Sequence, residues 1–572
     1  MRSRLALALI LVFSGAGANA DAINITRAAG ASTIVEIFIE EETIEVRFEI
    51  GLQDLATFHN LLPDELREML GLEPAPVAER IEKFVTQDMF FSTDGERPLV
   101  GRVVDAGPGS KVKRDVLTGA IIPPAEGEEP ALVVNARLLY PLPAGTKQLY
   151  MRPPMSPPAS IGFVVYHRTI PVIDFRYWGT MELLHLDLAD PFYSRFERRN
   201  LRRQYDAPMN AFLYMEPFEV RKEIVLRPID LQHWLDLGLE DRDIIPVDVQ
   251  DELKAKIVEF LMDKNPVTID GRSVSPRLDR INFITRTLTG TGVIDPPREM
   301  DALSATLGII FSYPVPTIPM QVSMEWELWN ERIQRIPTAA TDPAGPLPYF
   351  LSPDDNVLHW QNFLKFDPMP KLRAVADPPS FSARWLGRAP WIGAVAGAAL
   401  LPMVLWRRRS GASITVPVAA AAVLLTGGAL GFVIIPTQDA DQAQTEVLSA
   451  LLHNLYRAFD YRDESDIYDV LDQSVTGDLL RSTYLETKRG LVLASQGGAL
   501  VKVDTVDLVN AAFEPHDGDG FTALATWTVT GSVGHWGHVH KRSNRYQAEL
   551  DIAPVDGVWK IVGLELLQEE RI

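Results

Sequence analysis

From Thr33 to Ile50 and again from Ala131 to Tyr140, apolar and polar residues alternate with a period of two, rich in Val, Ile, Phe and Tyr. That pattern predicts half-buried strands. Between them the apolar spacing widens to three and four at Val77 to Val85, which predicts one helical insert. The same sequence of patterns returns further along the chain, with a helix expected at Val249 to Met262. Laying 33–190 over 207–365 at an offset of 174 to 176 residues brings many positions together. Phe38 and Ile39 meet Phe212 and Leu213, and Ile44-Glu45-Val46-Arg47 meets Phe218-Glu219-Val220-Arg221. Phe84 meets Phe260, Asp94-Gly95 meets Asp270-Gly271, Tyr140 meets Tyr313, and Leu184-His185 meets Leu358-His359. A fixed long-range period of this kind is the mark of duplication. The fold class expected is therefore multidomain and β-rich, with two tandem β-sandwich domains of immunoglobulin-like outline, 21–191 and 206–366, each carrying a helical insert.

Two longer apolar stretches, Trp391 to Trp406 and Ile414 to Ile435, flank Arg407, Arg408 and Arg409. A helix crosses a bilayer with roughly 20 apolar residues, and arginines in a short loop hold that loop in the cytoplasm. The expectation is a two-helix transmembrane hairpin over 389–436, with spans 389–406 and 414–435, reached through a Pro-rich stalk at 367–388. Gly393/Gly397 and Gly427/Gly431 have the small-residue spacing of close helix pairs. Arg2 and Arg4 before the apolar run Leu5 to Phe13, then Ala18-Asn19-Ala20, have the layout of a signal peptide over 1–20. These features predict a bacterial inner-membrane protein with both large regions in the periplasm.

The pattern changes again at Gln442. Val447, Leu448, Leu451, Leu452, Leu455, Tyr456 and Phe459 form one helical stripe, and two further helical segments follow at Ser465 to Leu471 and Leu479 to Val492. Four extended segments come next, ending in Val558-Trp559-Lys560-Ile561. Three helices followed by a long antiparallel meander with this Trp-Lys-Ile ending resembles the NTF2-like (SnoaL-like) superfamily over about 442–572, within a C-terminal domain of 440–572. The resemblance implies an α+β cone whose hollow holds a ligand or serves assembly.

Chemistry is sparse. The 572 residues carry a formal charge of -21, which excludes a nucleic-acid partner held by phosphate contacts. There is no cysteine, so thiol catalysis and Cys-ligated metals are excluded. No Gly-x-Ser-x-Gly elbow, phosphate-cradling loop or His-Glu-x-x-His pair occurs. His535, His538 and His540 are the candidate metal ligands, because clustered imidazoles suit Zn or Cu. On one regular strand His535 would face away from the other two. Arg195, Arg198, Arg199, Arg202 and Arg203 form a basic cluster between the repeats, either a solvated connector or a docking patch for an acidic partner or lipid. Trp326, Trp329, Trp360 and the Pro-rich tract Asp342 to Pro353 are either an interface or core. The expected function is a non-enzymatic scaffold, assembly or accessory factor, with no cofactor and with membrane or periplasmic protein partners beside the bilayer. The alternatives are a metal-handling accessory protein, and an NTF2-like enzyme on a small apolar substrate using Tyr456, Asp460 or His538.

Overall fold

The computed structural model describes residues 27–114, 121–122, 131–240, 242–287, 290–378, 381–409, 415–434, 440–496, 500–515, 520–535 and 538–572. The chain divides into two compact units at Asp367/Pro368. The expected signal peptide lies outside the described residues.

The first unit holds the duplication. In the first repeat the strands are β1 (Thr33–Ile39), β2 (Thr43–Gly51), β3 (Phe90–Ser92), β4 (Arg102–Ser110), β5 (Leu132–Pro141), β6 (Gln148–Arg152), β7 (Ile161–His167), β8 (Ile170–Pro171) and β9 (Glu182–His185), with helix α1 (Val77–Lys83) between β2 and β3. In the second they are β10 (Met209–Met215), β11 (Glu219–Leu226), β12 (Val267–Ile269), β13 (Arg277–Thr287), β14 (Leu307–Pro314), β15 (Gln321–Glu325), β16 (Ile336–Asp342), β17 (Gly345–Leu351) and β18 (Val357–Gln361), with helix α2 (Gln250–Met262) between β11 and β12. One sheet runs β4-β5-β2-β1-β7-β8, and its counterpart runs β13-β14-β11-β10-β16-β17. These six strands follow the same order in both, including one parallel pair in each, β1 with β7 and β10 with β16, while the seventh strand differs: Arg176–Tyr177 pairs with β7 in the first sheet and Gly290–Val293 with β13 in the second. A smaller sheet contains β9-β6-β3 in the first repeat and β18-β15-β12 in the second. Each repeat buries its own apolar core, around Phe48, Phe84 and Trp178 in one and Ile224, Tyr313 and Trp326 in the other.

At the first hairpin the register of the two copies differs from the sequence overlay. The β1–β2 turn closes on the pair Ile39 and Ile44, and the β10–β11 turn closes on Met215 and Val220. Ile44 lies opposite Tyr140, and Val220 lies opposite Tyr313. Ile44 therefore corresponds to Val220 and Glu45 to Arg221, two residues from the overlay. A slip of two keeps every side chain on its own face, so the alternation that suggests the alignment does not distinguish the two registers. Val46, fully buried, then corresponds to Lys222, also buried. His185 lies opposite Gln148 and His359 opposite Ser323.

The tryptophans at the end of the second repeat are core: Trp326 is fully buried, Trp360 nearly so, and Trp329 packs against them. The Pro-rich tract forms the β16–β17 hairpin. Pro346 and Pro348 lie on β17, the outer strand of its sheet, where a missing N–H is tolerated.

The second unit contains helices α3 (Phe381–Arg409), α4 (Thr415–Ile434), α5 (Ala440–Arg457), α6 (Glu464–Asp472) and α7 (Gly477–Gln496), then β19 (Leu500–Pro515), β20 (Phe521–His535), β21 (His538–Val555) and β22 (Val558–Arg571) in one sequential antiparallel sheet. Bulges between Leu508 and Asn510 and between Asp551 and Ile552 bend these long strands. The α5 stripe Leu448, Leu451, Leu452 and Leu455 packs with Trp527, Ala548 and Leu550 into a single core.

Among the described residues no helix is long and apolar enough to cross a membrane. This corrects the expected transmembrane hairpin, and with it the two-span inner-membrane placement with both large regions periplasmic. The physical reason is length. In α3 the uncharged stretch Ala389 to Trp406 lies between Arg388 and the three arginines at the helix end, and at 1.5 Å per residue it reaches about 27 Å, short of the roughly 30 Å of a hydrocarbon core. In α4 the described side chains end at Thr426, so Gly427 and Gly431 lie beyond them. The two helices do approach closely: a Cβ on Gly397 would lie 2.7 Å from Leu425 Cγ. The expected stalk is also not a free spacer along its length. Arg373 N–H donates to Asn454 Oδ1 at 2.7 Å, Asn454 Nδ2 donates back to Arg373 O at 2.9 Å, and Leu372 and Val375 pack on the C-terminal core.

Candidate functional site

The chain between the repeats folds back on both of them; of its basic cluster Arg195, Arg198 and Arg199 are exposed, Arg198 pairing with Glu182 at 3.0 Å, and Arg202 and Arg203 are partly buried. Asp190 starts a short 3-10 turn, its Oδ1 accepting from Phe192 N–H at 3.0 Å. The same carboxylate receives Arg227 Nη2 at 2.7 Å, from the second repeat. Arg227 also donates Nε and Nη2 to Asp230, both at 2.7 Å, and Nη1 to Leu303 O at 2.9 Å. Tyr193 adds its hydroxyl to Asp230 at 3.1 Å. Burial opposes the charge on Arg227, but Asp230 and Asp190 more than offset it and hold its pKa above the ordinary value. This guanidinium is saturated, and it ties the two repeats together.

Arg203 and Arg286 are placed differently. Arg203 stacks on one face of Phe192 at 3.9 Å and donates to two carbonyls, Pro171 O at 2.9 Å and Phe192 O at 2.7 Å. Burial, and then the neighbouring Arg227, lower its pKa to about 10. Arg286 stacks on Tyr205 at 3.9 Å and donates Nη1 to Asn210 Oδ1 at 2.9 Å. Its Nε is buried without a hydrogen-bond partner, and burial lowers its pKa to about 10 as well. Neither has a carboxylate at ion-pair distance among the described residues. Asp206, Asp174 and Asp190 act on Arg203 only from further away, and among the described residues Tyr205 is the group that acts electrostatically on Arg286.

Both arginines line one cleft of about 540 Å³ between the repeats, whose other walls are mixed, with Ile170, Ile284 and Ile294 beside polar and charged residues such as Thr285, Arg298, Glu299 and Thr306. Of its three acids, Asp174 takes Arg176 and Gln204 N–H and Asp301 takes Ser304 and Thr169, while Glu299 is exposed at the cleft beside Arg298. Sequence reasoning groups Arg203 with its neighbours and does not single out Arg286, since nothing local marks a residue whose counter-charge is missing.

The other expected site residues lie in the second unit. His535 and His538 are directly opposite one another where β20 turns into β21, and His540 is opposite Val533. Opposed residues share a face of an antiparallel pair, as do residues two apart. The register thus places all three histidine positions on one face, because the chain turns between His535 and His538 instead of running on as one strand. Their side chains lie outside the described residues, and among the described residues no group of three His, Asp or Glu could hold a metal. Tyr456 is fully buried, its hydroxyl accepting from Trp527 Nε1 at 3.2 Å. Asp460 pairs with Arg457 at 2.9 Å. His167, not foreseen, is buried against Ser194 Oγ at 2.7 Å, and burial lowers its pKa to about 4; it caps a strand end.

The chain matches no protein-family model and no curated protein. Among solved structures it is similar to the intermembrane-space region of the chloroplast protein ARC6, at 16% identity and a TM-score of 0.17, over 23% of this chain and 98% of that one. A likeness of that size carries no argument about this chain.

Proposed function

We propose that the protein is a non-enzymatic scaffold or accessory factor that works by binding other proteins. The observation that supports this best is the Asp190–Arg227–Asp230 cluster, which holds two copies of one β-sandwich in a fixed relation and so presents their outer surfaces as one. We take the C-terminal region as an NTF2-like domain adding an assembly surface, on the strength of its three helices followed by a four-stranded meander. Affinity purification of the full chain with quantitative mass spectrometry tests the proposal. One partner should be recovered in near-stoichiometric amount and cross-linked to both repeats, and Asp190→Asn should weaken its recovery. A chain recovered alone, or cross-links confined to one repeat, would overturn it.

A metal-handling reading is favoured by one observation, the register that gathers His535, His538 and His540 on one face of a hairpin. Zn or Cu titration of the full chain tests it, with a dissociation constant below about 10 micromolar, lost in the triple alanine variant, as the supporting result. Equal binding by the variant eliminates it.

A further inference from the structure

We propose that the cleft between the repeats binds a small organic carboxylate, its anionic head on Arg286 and Arg203 and its apolar body along Ile170, Ile284 and Ile294. A guanidinium removed from water is strongly unfavourable unless an anion and a full set of acceptors compensate it. Arg227, a neighbour in the same cleft, has that compensation in Asp190 and Asp230. Arg286 has one acceptor, an aromatic face, and a buried Nε with nothing on it. Arg203 has carbonyls but no carboxylate at ion-pair distance. Two under-compensated arginines on one cavity leave room for an anion, and the cavity supplies it.

Volume and lining narrow the class. About 540 Å³ is in the range of pockets for ligands of small-molecule size, in which apolar walls carry the body and a few polar groups orient it. The aromatic supports under Arg203 and Arg286, Phe192 and Tyr205, fix the planes of the two guanidinium groups. A planar fork held in place suits a planar carboxylate, which accepts two parallel N–H groups.

Thermal unfolding of the full chain tests the proposal with three probes of similar size: hexanoate, hexanamide and phenyl phosphate. Hexanoate at saturating concentration should raise Tm by about 2–4 °C, and hexanamide should not. The Arg286→Met variant should lose the response while melting no lower than the parent in anion-free buffer, since the substitution removes a partly buried cation with no carboxylate at ion-pair distance. Arg203→Met should reduce the response. No shift with hexanoate, an equal shift with hexanamide, or a response to phenyl phosphate alone overturns the carboxylate assignment. An Arg286→Met chain that melts lower without ligand shows Arg286 to be a structural residue, and the proposal falls.

Discussion

Asp190 and Arg227 meet across the boundary between the two repeats, a carboxylate oxygen 2.7 Å from Nη2, with the arginine side chain 3% exposed. Asp230 completes the pair from the second repeat at the same distance. Removing the cation leaves two carboxylates facing each other out of water. Arg227→Met should therefore destabilise the tandem repeat by about 3–5 kcal/mol, read as a lower urea midpoint for the first unit. Asp190→Asn should lose less, because Asp230 still compensates the guanidinium.

Lys222 occupies the place that Val46 holds in the first repeat, 1% exposed, and donates to Asn265 O at 2.9 Å and Lys264 O at 3.2 Å. Burial, partly opposed by Glu327, lowers its pKa to about 7. In the unfolded chain the amine keeps its ordinary value near 10.5. Between those two pH values the unfolded state binds the extra proton, so stability rises with pH across the window and is flat below it. Unfolding free energies from pH 7 to 10 should climb in the parent by a few kcal/mol, on the order of one per pH unit. Lys222→Met should lack that climb.

The duplication shows which properties periodicity carries. Alternation places Ile44, Val46 and Phe48 on a buried face, yet it is indifferent to a two-residue slip, and only the turn lengths distinguish Arg221 from Glu219 as the counterpart of Glu45. The histidine positions show the complementary effect. On a single strand His535 would face away from His538 and His540, and it joins their face once the chain reverses at the intervening pair. The apolar stretch near residue 400 has the composition of a span, but Arg388 and Arg407 bound it too closely. The cleft was illegible for a different reason. A missing counter-charge at Arg286 is a property of what tertiary folding leaves beside it, and no local pattern encodes that.

Asn454 clamps the backbone of Arg373 through both of its amide atoms. Asn454→Ala removes the acceptor and the donor together and leaves the segment to the burial of Leu372 and Val375 and to the contacts of His453 with Lys371 O and of Arg373 with Ser449 Oγ. Limited trypsin digestion should then cut after Lys371 or Arg373 about 10-fold faster, in line with the 1–3 kcal/mol value of buried hydrogen bonds. Unchanged cleavage would mean that these remaining contacts hold the segment without Asn454.

Tyr456 and Trp527 are both fully buried, and the tyrosine hydroxyl accepts the indole N–H at 3.2 Å. Burial, then the nearby Tyr546, raises the tyrosine pKa well above its ordinary value, so this hydroxyl stays protonated through the physiological range and acts as a hydrogen-bonding group in the core. Tyr456→Phe leaves the indole N–H without its acceptor while changing the volume little. The C-terminal unit should lose about 1–3 kcal/mol, followed by tryptophan fluorescence during urea unfolding, with partner recovery unaltered. Loss of partner recovery at unchanged stability would instead place Tyr456 at a working surface, and would return attention to the interior of the C-terminal sheet as a ligand site.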